Sequence, residues 1–208
     1  NNSHSNVIMG EQSVTLYGKD KIADQLSDTT FKISDQSFYQ INSSQTEKLY
    51  QKAIEYAQLT GEETVLDTYC GIGTIGLYMA SVAKHVYGVE VVPSAIKDAQ
   101  QNATLNGFEN TTFVCGKAEE VIIKWKQQGI KPDVVMVDPP RKGCDETFLQ
   151  TLLKLNPKRI VYISCNPSTQ QRDAQILDSQ YELQEITPVD MFPQTTHVET
   201  VALFERKS

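Results

Sequence analysis

Apolar and polar positions alternate along this chain in two rhythms, and the changes from one to the other mark its elements. Near the start, Ser13-Val14-Thr15-Leu16-Tyr17 alternates at period two and stops at the turn residue Gly18, which predicts a strand. A polar stretch over 19–30 leads to a second extended run, Phe31-Lys32-Ile33-Ser34. From Ser44 the period lengthens. Ser44-Gln45-Thr46-Glu47 has the form of a capping box, and Leu49, Ala53, Tyr56 and Ala57 follow at helical spacing until Gly61. Short β-branched runs then predict strands over 64–67, 85–91, 112–115, 133–138 and 159–164. Helical patterns fill intervals between them: from the loop after the first strand to about 83, over 93–106 and over 118–128. Such alternation predicts a parallel sheet with helices on both faces. The last two runs, 181–187 and 198–204, have only a Pro-containing loop between them and are expected to pair as an antiparallel hairpin. The predicted fold class is α/β: a doubly wound, Rossmann-like sheet with a C-terminal antiparallel hairpin and a short N-terminal β remnant.

A length of 208 residues gives room for one large domain, and 39% hydrophobic with 22% charged residues excludes a disordered chain. No apolar run reaches the ~18 residues a membrane span needs, and no signal peptide opens the sequence. The four cysteines, Cys70, Cys115, Cys144 and Cys165, are scattered without a CxxC pair. That spacing suggests neither a zinc site nor a disulfide framework, and points to a reduced, cytoplasmic enzyme. A net charge of −7 argues against a surface that grips nucleic acid all round. It leaves room for a local cationic face built from Arg141, Lys142, Lys154, Lys158, Arg159 and Arg172. The opening Asn1-Asn2-Ser3-His4 lacks an initiator methionine and reads as the start of a piece cut from a longer protein. On this reading 1–36 is the remnant of a preceding domain or hairpin, and 37–208 is the catalytic domain.

Four segments carry chemistry, and all fall at carboxyl ends of predicted strands, where open α/β sheets bind ligands. The first is Asp67-Thr68-Tyr69-Cys70-Gly71-Ile72-Gly73-Thr74-Ile75-Gly76, followed by Glu90 at the end of the next strand, placed to hold a ribose diol. Gly71, Gly73 and Gly76 also fit the dinucleotide fingerprint, which makes a nicotinamide enzyme the rival. Asp67 ahead of the glycines favours S-adenosylmethionine, because a sulfonium cation is served by nearby acid oxygens and needs no diphosphate cradle. The second is Asp138-Pro139-Pro140-Arg141-Lys142-Gly143, in which two prolines stiffen a loop and aim Asp138 into the cleft. Amino-group methyltransferases want an aromatic ring after the prolines, and here Arg141 stands in its place. The third is Ser164-Cys165-Asn166-Pro167. Cys165 leaves the sheet among polar neighbours just before a helix, a setting that favours thiolate, with Cys70 as rival nucleophile. In the fourth, His197-Val198-Glu199-Thr200-Val201, an acid heads an otherwise apolar strand face. A buried Glu199 flanked by valines is expected to have a raised pKa suited to proton abstraction, with His197 the next candidate.

Together these segments, with Phe38-Tyr39-Gln40 ahead of them, resemble the RNA 5-methyluridine methyltransferases, the family that methylates C5 of uridine in ribosomal and transfer RNA. The resemblance runs from Phe38 to the C-terminus and rests on five motifs in order. It implies that Gln40, Tyr69, Gly71, Gly73, Thr74, Glu90, Lys117 and Asp138 contact the cofactor. It implies further that Phe38, Asp138 and Arg141 face the uracil substrate, that Cys165 is the nucleophile and that Glu199 is the base. The expected reaction passes through a covalent cysteine–C6 adduct, with 23S ribosomal RNA placed ahead of transfer RNA as substrate. No metal is implied. Family members carry an N-terminal RNA-binding barrel, and some an iron–sulfur cluster on N-terminal cysteines; neither is in this sequence. RNA is the expected partner, with no membrane association and a monomeric state. Two other readings are a methyltransferase for cytosine or a small molecule, and a non-catalytic RNA-binding module.

Overall fold

The computed structural model describes residues 14–35 and 37–207. Strands β1 (Lys21–Leu26) and β2 (Thr29–Ser34) form a separate antiparallel hairpin. The rest of the chain alternates: α1 (Ser43–Ala57), β3 (Thr64–Thr68), α2 (Thr74–Ala80), β4 (His85–Glu90), α3 (Pro93–Leu105), β5 (Thr111–Cys115) and α4 (Ala118–Gln127). It continues through β6 (Val134–Val137), α5 (Glu146–Leu155), β7 (Arg159–Ser164), α6 (Pro167–Leu177), β8 (Tyr181–Val189) and β9 (Glu199–Arg206). The strands of this part make one seven-stranded sheet in the order β5-β4-β3-β6-β7-β9-β8. Strands β3 to β7 are parallel to their neighbours in that set, and β9 runs antiparallel to both β7 and β8.

Hydrophobic patterning explains the layers. All four residues of β6 are buried, as a strand covered on both faces requires. Val134 and Met136 face one core with Leu49, Ala53, Ile75 and Leu77 of α1 and α2. Val135 and Val137 face the other, with Trp125, Phe148, Leu152 and Leu177 of α4, α5 and α6. Chain order fixes where a ligand goes. After β3 the chain steps outward to β4 and β5, then crosses back to β6 on the other side of β3. The carboxyl ends of β3 and β6 therefore flank the switch point where an open α/β sheet leaves its crevice. No helix among the described residues is long and apolar enough to cross a membrane.

Several elements differ from the sequence pattern. The strand expected over 13–17 does not form: Ser13 lies outside the described residues, Val14 to Tyr17 are not in a strand, and Leu16 is 94% exposed. The strand that pairs with 29–34 is instead the polar Lys21–Leu26, whose only buried side chain is Leu26, so apolar alternation could not reveal it. Helix α1 begins at Ser43 and is capped by Asn42, whose side chain accepts from the Gln45 N–H at 3.4 Å. Glu47 does not close a capping box; its carboxylate takes the Ser27 hydroxyl of the hairpin turn. The hairpin is held by asparagines of α3. Asn106 exchanges two hydrogen bonds with the backbone of Thr30 (2.8 and 2.7 Å), and Asn102 two with Lys32 (2.8 and 3.2 Å). The C-terminal pairing is as expected, but β9 lies inside the sheet and β8 forms the edge.

Candidate active site

Asp67 is the fourth residue of β3 and is 1% exposed. Its Oδ2 accepts the Gly76 N–H at 2.9 Å, while its Oδ1 has no hydrogen-bond partner. Residue 76 must be glycine for this approach, since a Cβ there would lie 2.9 Å from the same Oδ2 and 3.1 Å from Val86 Cγ1. The intervening loop turns through positive φ at Tyr69 (60°), Gly71 (53°) and Gly73 (80°). Gly73 is the N-cap of α2 and gives it no side-chain cap, which leaves amides of the first turn free for a ligand. Glu90, at the end of β4, receives the Gly71 N–H on Oε2 (3.3 Å) and those of Val91 and Val92 on Oε1 (2.7 and 3.0 Å). Burial, then the neighbouring Asp138 and Glu90, push the Asp67 carboxyl up to about 8 against the opposing Gly76 hydrogen bond.

Across the switch point, Asp138 follows β6 directly, and burial plus the charge of Glu199 raise its pKa to about 7. Cys165 follows β7, whose last residue, Ser164, is the ladder partner of Thr200 on β9. Glu199 precedes Thr200, so the thiol and the carboxyl stand opposite each other where the antiparallel ladder ends. Glu199 is buried, and burial raises its pKa, with Arg141 opposing the rise. Arg141 also donates to the His197 ring at 2.6 Å. The Cys165 thiol is raised by burial, then by Glu199 and Asp138, with Arg141 again opposing. The surroundings thus work against the thiolate expected from the helix start: burial first, then two carboxyls, outweigh the one guanidinium. A buried Tyr50 on α1 adds a phenol that feels Asp138, Asp67 and Glu199, each raising its pKa after burial itself.

The residues at β3 and β4 fit an adenosyl sulfonium ligand. An orphaned, buried carboxyl oxygen awaits a cation or donor, an uncapped helix start offers amides, and an acid ends the adjacent strand. Among the described residues no group of three or more side chains is arranged to hold a metal ion.

Residues 7–207 match the family described as tRNA (Uracil-5-)-methyltransferase. The chain belongs to that family. It is 83% identical over 207 residues to a protein named an uncharacterized RNA methyltransferase from Staphylococcus aureus (strain COL), covering 100% of this chain and 46% of that one. A protein of the same description from Staphylococcus epidermidis (strain ATCC 12228 / FDA PCI 1200) is 84% identical over 207 residues, with 45% of its length covered. The chain therefore spans less than half the length of these relatives. Among solved structures it resembles a Pyrococcus abyssi tRNA (uracil-54, C5)-methyltransferase in complex with S-adenosyl-L-homocysteine. That match has TM-score 0.79 and 35% identity and covers 94% of this chain and 48% of that one. A tRNA m1G37 methyltransferase from M. jannaschii, with TM-score 0.67 and 14% identity over 92% of this chain and 58% of its own, shares the fold alone.

This uracil-5-methyltransferase family member gathers Asp138, Arg141, Cys165, His197 and Glu199 at one end of β6, β7 and β9, and Asp67, Gly71, Gly73, Thr74 and Glu90 at the same end of β3 and β4. Gln40 is buried at the approach to α1, whereas Phe38 stands 74% exposed. Tyr69 turns its ring to the opposite core, edge-on to Phe148 at 5.4 Å, and so offers the loop its backbone. Lys117 is exposed and opens α4 two residues after Cys115, the ladder partner of Glu90. Cys70 is buried and its thiol is raised further by burial and by Asp67, which suits a packed side chain better than a nucleophile. The sequence reading missed Tyr50, which its helical spacing with Leu49 and Ala53 disguises as core, and Asp173 of α6 beneath the Asp138 loop. Arg172, expected on the cationic face, instead pairs with Asp173 and donates to the carbonyls of Lys142 and Cys144.

Proposed function

We propose that this chain is the methyl-transferring part of a cytoplasmic, monomeric enzyme that methylates C5 of uridine in RNA, 23S ribosomal or transfer RNA, by covalent catalysis. The observation that carries the reading is the facing pair at the ladder end, Cys165 just after β7 and Glu199 at the start of β9, with Asp138 beside them. Asp67, the Ile72 and Thr74 amides of the glycine loop and Glu90 would hold S-adenosylmethionine, which supplies an electrophilic methyl group when bound; Gln40, Lys117, Gly71, Gly73 and the Tyr69 backbone would complete that site. C5 of uracil is too weak a carbon nucleophile to be alkylated unaided. Cys165 first gives its thiol proton to solvent; its thiolate Sγ then adds to C6, breaking the C5–C6 double bond and leaving an enolate whose electron density lies at C5 and O4. Asp138, raised by burial and by Glu199, orients the uracil by its edge, and Arg141 offsets negative charge on the thiolate. Once C5 is alkylated, Glu199 takes its proton, the C5–C6 double bond re-forms and the thiolate leaves. A raised Glu199 pKa makes it a stronger base in its ionised form. The target base must be single-stranded or flipped to reach this cleft.

The test uses the full-length protein with methyl-labelled S-adenosylmethionine and unmodified ribosomal and transfer RNA in separate reactions, followed by nucleoside analysis. Label in 5-methyluridine supports the reading, and the RNA that carries it names the substrate. Label in 5-methylcytidine, or in no nucleoside, contradicts it.

A further inference from the structure

The Asp138-Pro139-Pro140-Arg141-Lys142-Gly143 loop ends on a glycine that the proposed reaction leaves unexplained. Gly143 has φ +77°, and a Cβ on it would fall 2.6 Å from Arg172 Nη2, 2.8 Å from Asp173 Oδ2 and 3.0 Å from Thr169 Cβ. The loop therefore lies directly on the first two turns of α6, and what it meets there is a charged pair. Asp173 is fully buried. Its Oδ2 accepts the Cys144 N–H at 2.8 Å and the Tyr162 hydroxyl at 2.7 Å, and its Oδ1 accepts Nε and Nη2 of Arg172 at 2.8 and 2.6 Å. Arg172 Nη2 in turn donates to the carbonyls of Lys142 and Cys144, both at 3.1 Å. The N-cap of the same helix, Asn166, donates from Nδ2 to the Arg141 carbonyl at 3.2 Å, and the Thr169 hydroxyl donates to that oxygen at 3.4 Å. Four backbone groups of 141–144 are thus held by one helix, and that helix begins directly after Cys165.

We propose that Asp173 is a positioning residue: through Arg172 and the Cys144 amide it fixes the loop bearing Asp138 and Arg141 at a set distance from Cys165. The proposal rests on the reading of Cys165 as nucleophile and adds a residue to it. Its physical basis is that the groups facing Cys165 are few and opposed. Beyond burial, which raises the thiol most, Glu199 of β9 and Asp138 of the loop raise it, Arg141 of the loop lowers it, and His197 receives a hydrogen bond from Arg141. A buried charge with four donors is a stiff anchor, and removing the anchor frees the single cation in that set. Arg141 then spreads over more positions and its help to the thiolate falls.

Asp173→Asn keeps the shape and loses the charge. Arg172→Lys, at a side chain 52% exposed, keeps a charge on Asp173 but loses the fork to two carbonyls. The measurement is iodoacetamide alkylation of the folded full-length protein across pH, read peptide by peptide by mass spectrometry, with exposed Cys115 as internal reference. In both variants the pH midpoint at Cys165 should rise by roughly 0.5–1 unit while that at Cys115 stays. The kcat for methyl transfer should fall about tenfold with KM for S-adenosylmethionine unchanged, because that site is built on β3 and β4. A residue that only supports the fold would lower the melting temperature and leave the Cys165 midpoint of the folded protein in place. An unchanged midpoint in both variants overturns the proposal. Alkylation needs neither RNA nor cofactor, so a wild-type protein that makes no 5-methyluridine would refute the proposed function without touching this readout.

Discussion

Asp67 shows what a single buried acid does to this molecule. Its pKa moves from 3.8 to about 8 on folding, because its carboxyl is sealed beside Asp138 and one oxygen lacks a donor. Between those values the unfolded chain has released the proton and the folded chain still holds it, so stability falls as pH rises through the window. Asp138, raised to about 7, acts with the same sign. The ligand-free protein should therefore melt at higher temperature near pH 6 than near pH 8.5, and Asp67→Asn should flatten that difference by about half. Thermal melts of the two proteins across pH check it; an identical slope in Asp67→Asn assigns the dependence elsewhere. At this scale the sequence could name Asp67, Asp138, Cys165 and Glu199 as candidates because the strand pattern was clear and each lies at or beside a strand terminus. Asp138 and Cys165 come just after β6 and β7, Asp67 near the end of β3 and Glu199 at the start of β9. Their protonation was legible only in part. The raised Glu199 follows from its apolar flanks, whereas the Cys165 thiol depends on residues 27 and 34 positions away in the chain, Asp138 and Glu199, which only the fold brings together.

Strands of the large sheet were read within a residue or two, β7 among them, over Arg159–Ser164, whereas helices α5 and α6 were not singled out. The hairpin strand β1 was not read either, because its own residues are mostly polar and only Leu26 is buried. Its stability comes from α3, where asparagines four residues apart present their amides to alternate residues of β2. Asn102 does more than hold the hairpin. It is fully buried and its Nδ2 also donates to the carbonyl of Ile72, at 3.4 Å, inside the glycine loop. Asn102→Ala leaves the backbone of Lys32 and Ile72 with unpaired groups and should cost about 2–4 kcal/mol in unfolding free energy. Amide exchange should rise in two places at once, β2 and the loop around residue 72. Faster exchange in β2 alone would show that the hairpin and the cofactor loop are independent.

For the whole molecule, charge and length set what this piece can do alone. A net charge of −7 leaves few cations for phosphates, and the chain covers less than half of its relatives. The isolated piece should bind structured RNA weakly, with affinity dropping steeply from about 50 to about 200 mM salt. Tight, salt-insensitive binding in a filter or fluorescence titration would contradict that. The sheet order was not legible, since nothing in the sequence of β9 says that it enters between β7 and β8. That insertion is what brings Glu199 across from Cys165, and it carries the central claim. The direct test traps the intermediate in the full-length protein, with labelled S-adenosylmethionine and target RNA resolved on a denaturing gel. Cys165→Ala should give no adduct and no methyl transfer, since no enolate forms without the thiolate. Glu199→Gln should accumulate a slow protein–RNA band carrying the new methyl group, because addition and alkylation proceed and elimination stalls. Normal turnover by Glu199→Gln, or an adduct in Cys165→Ala, would contradict the account.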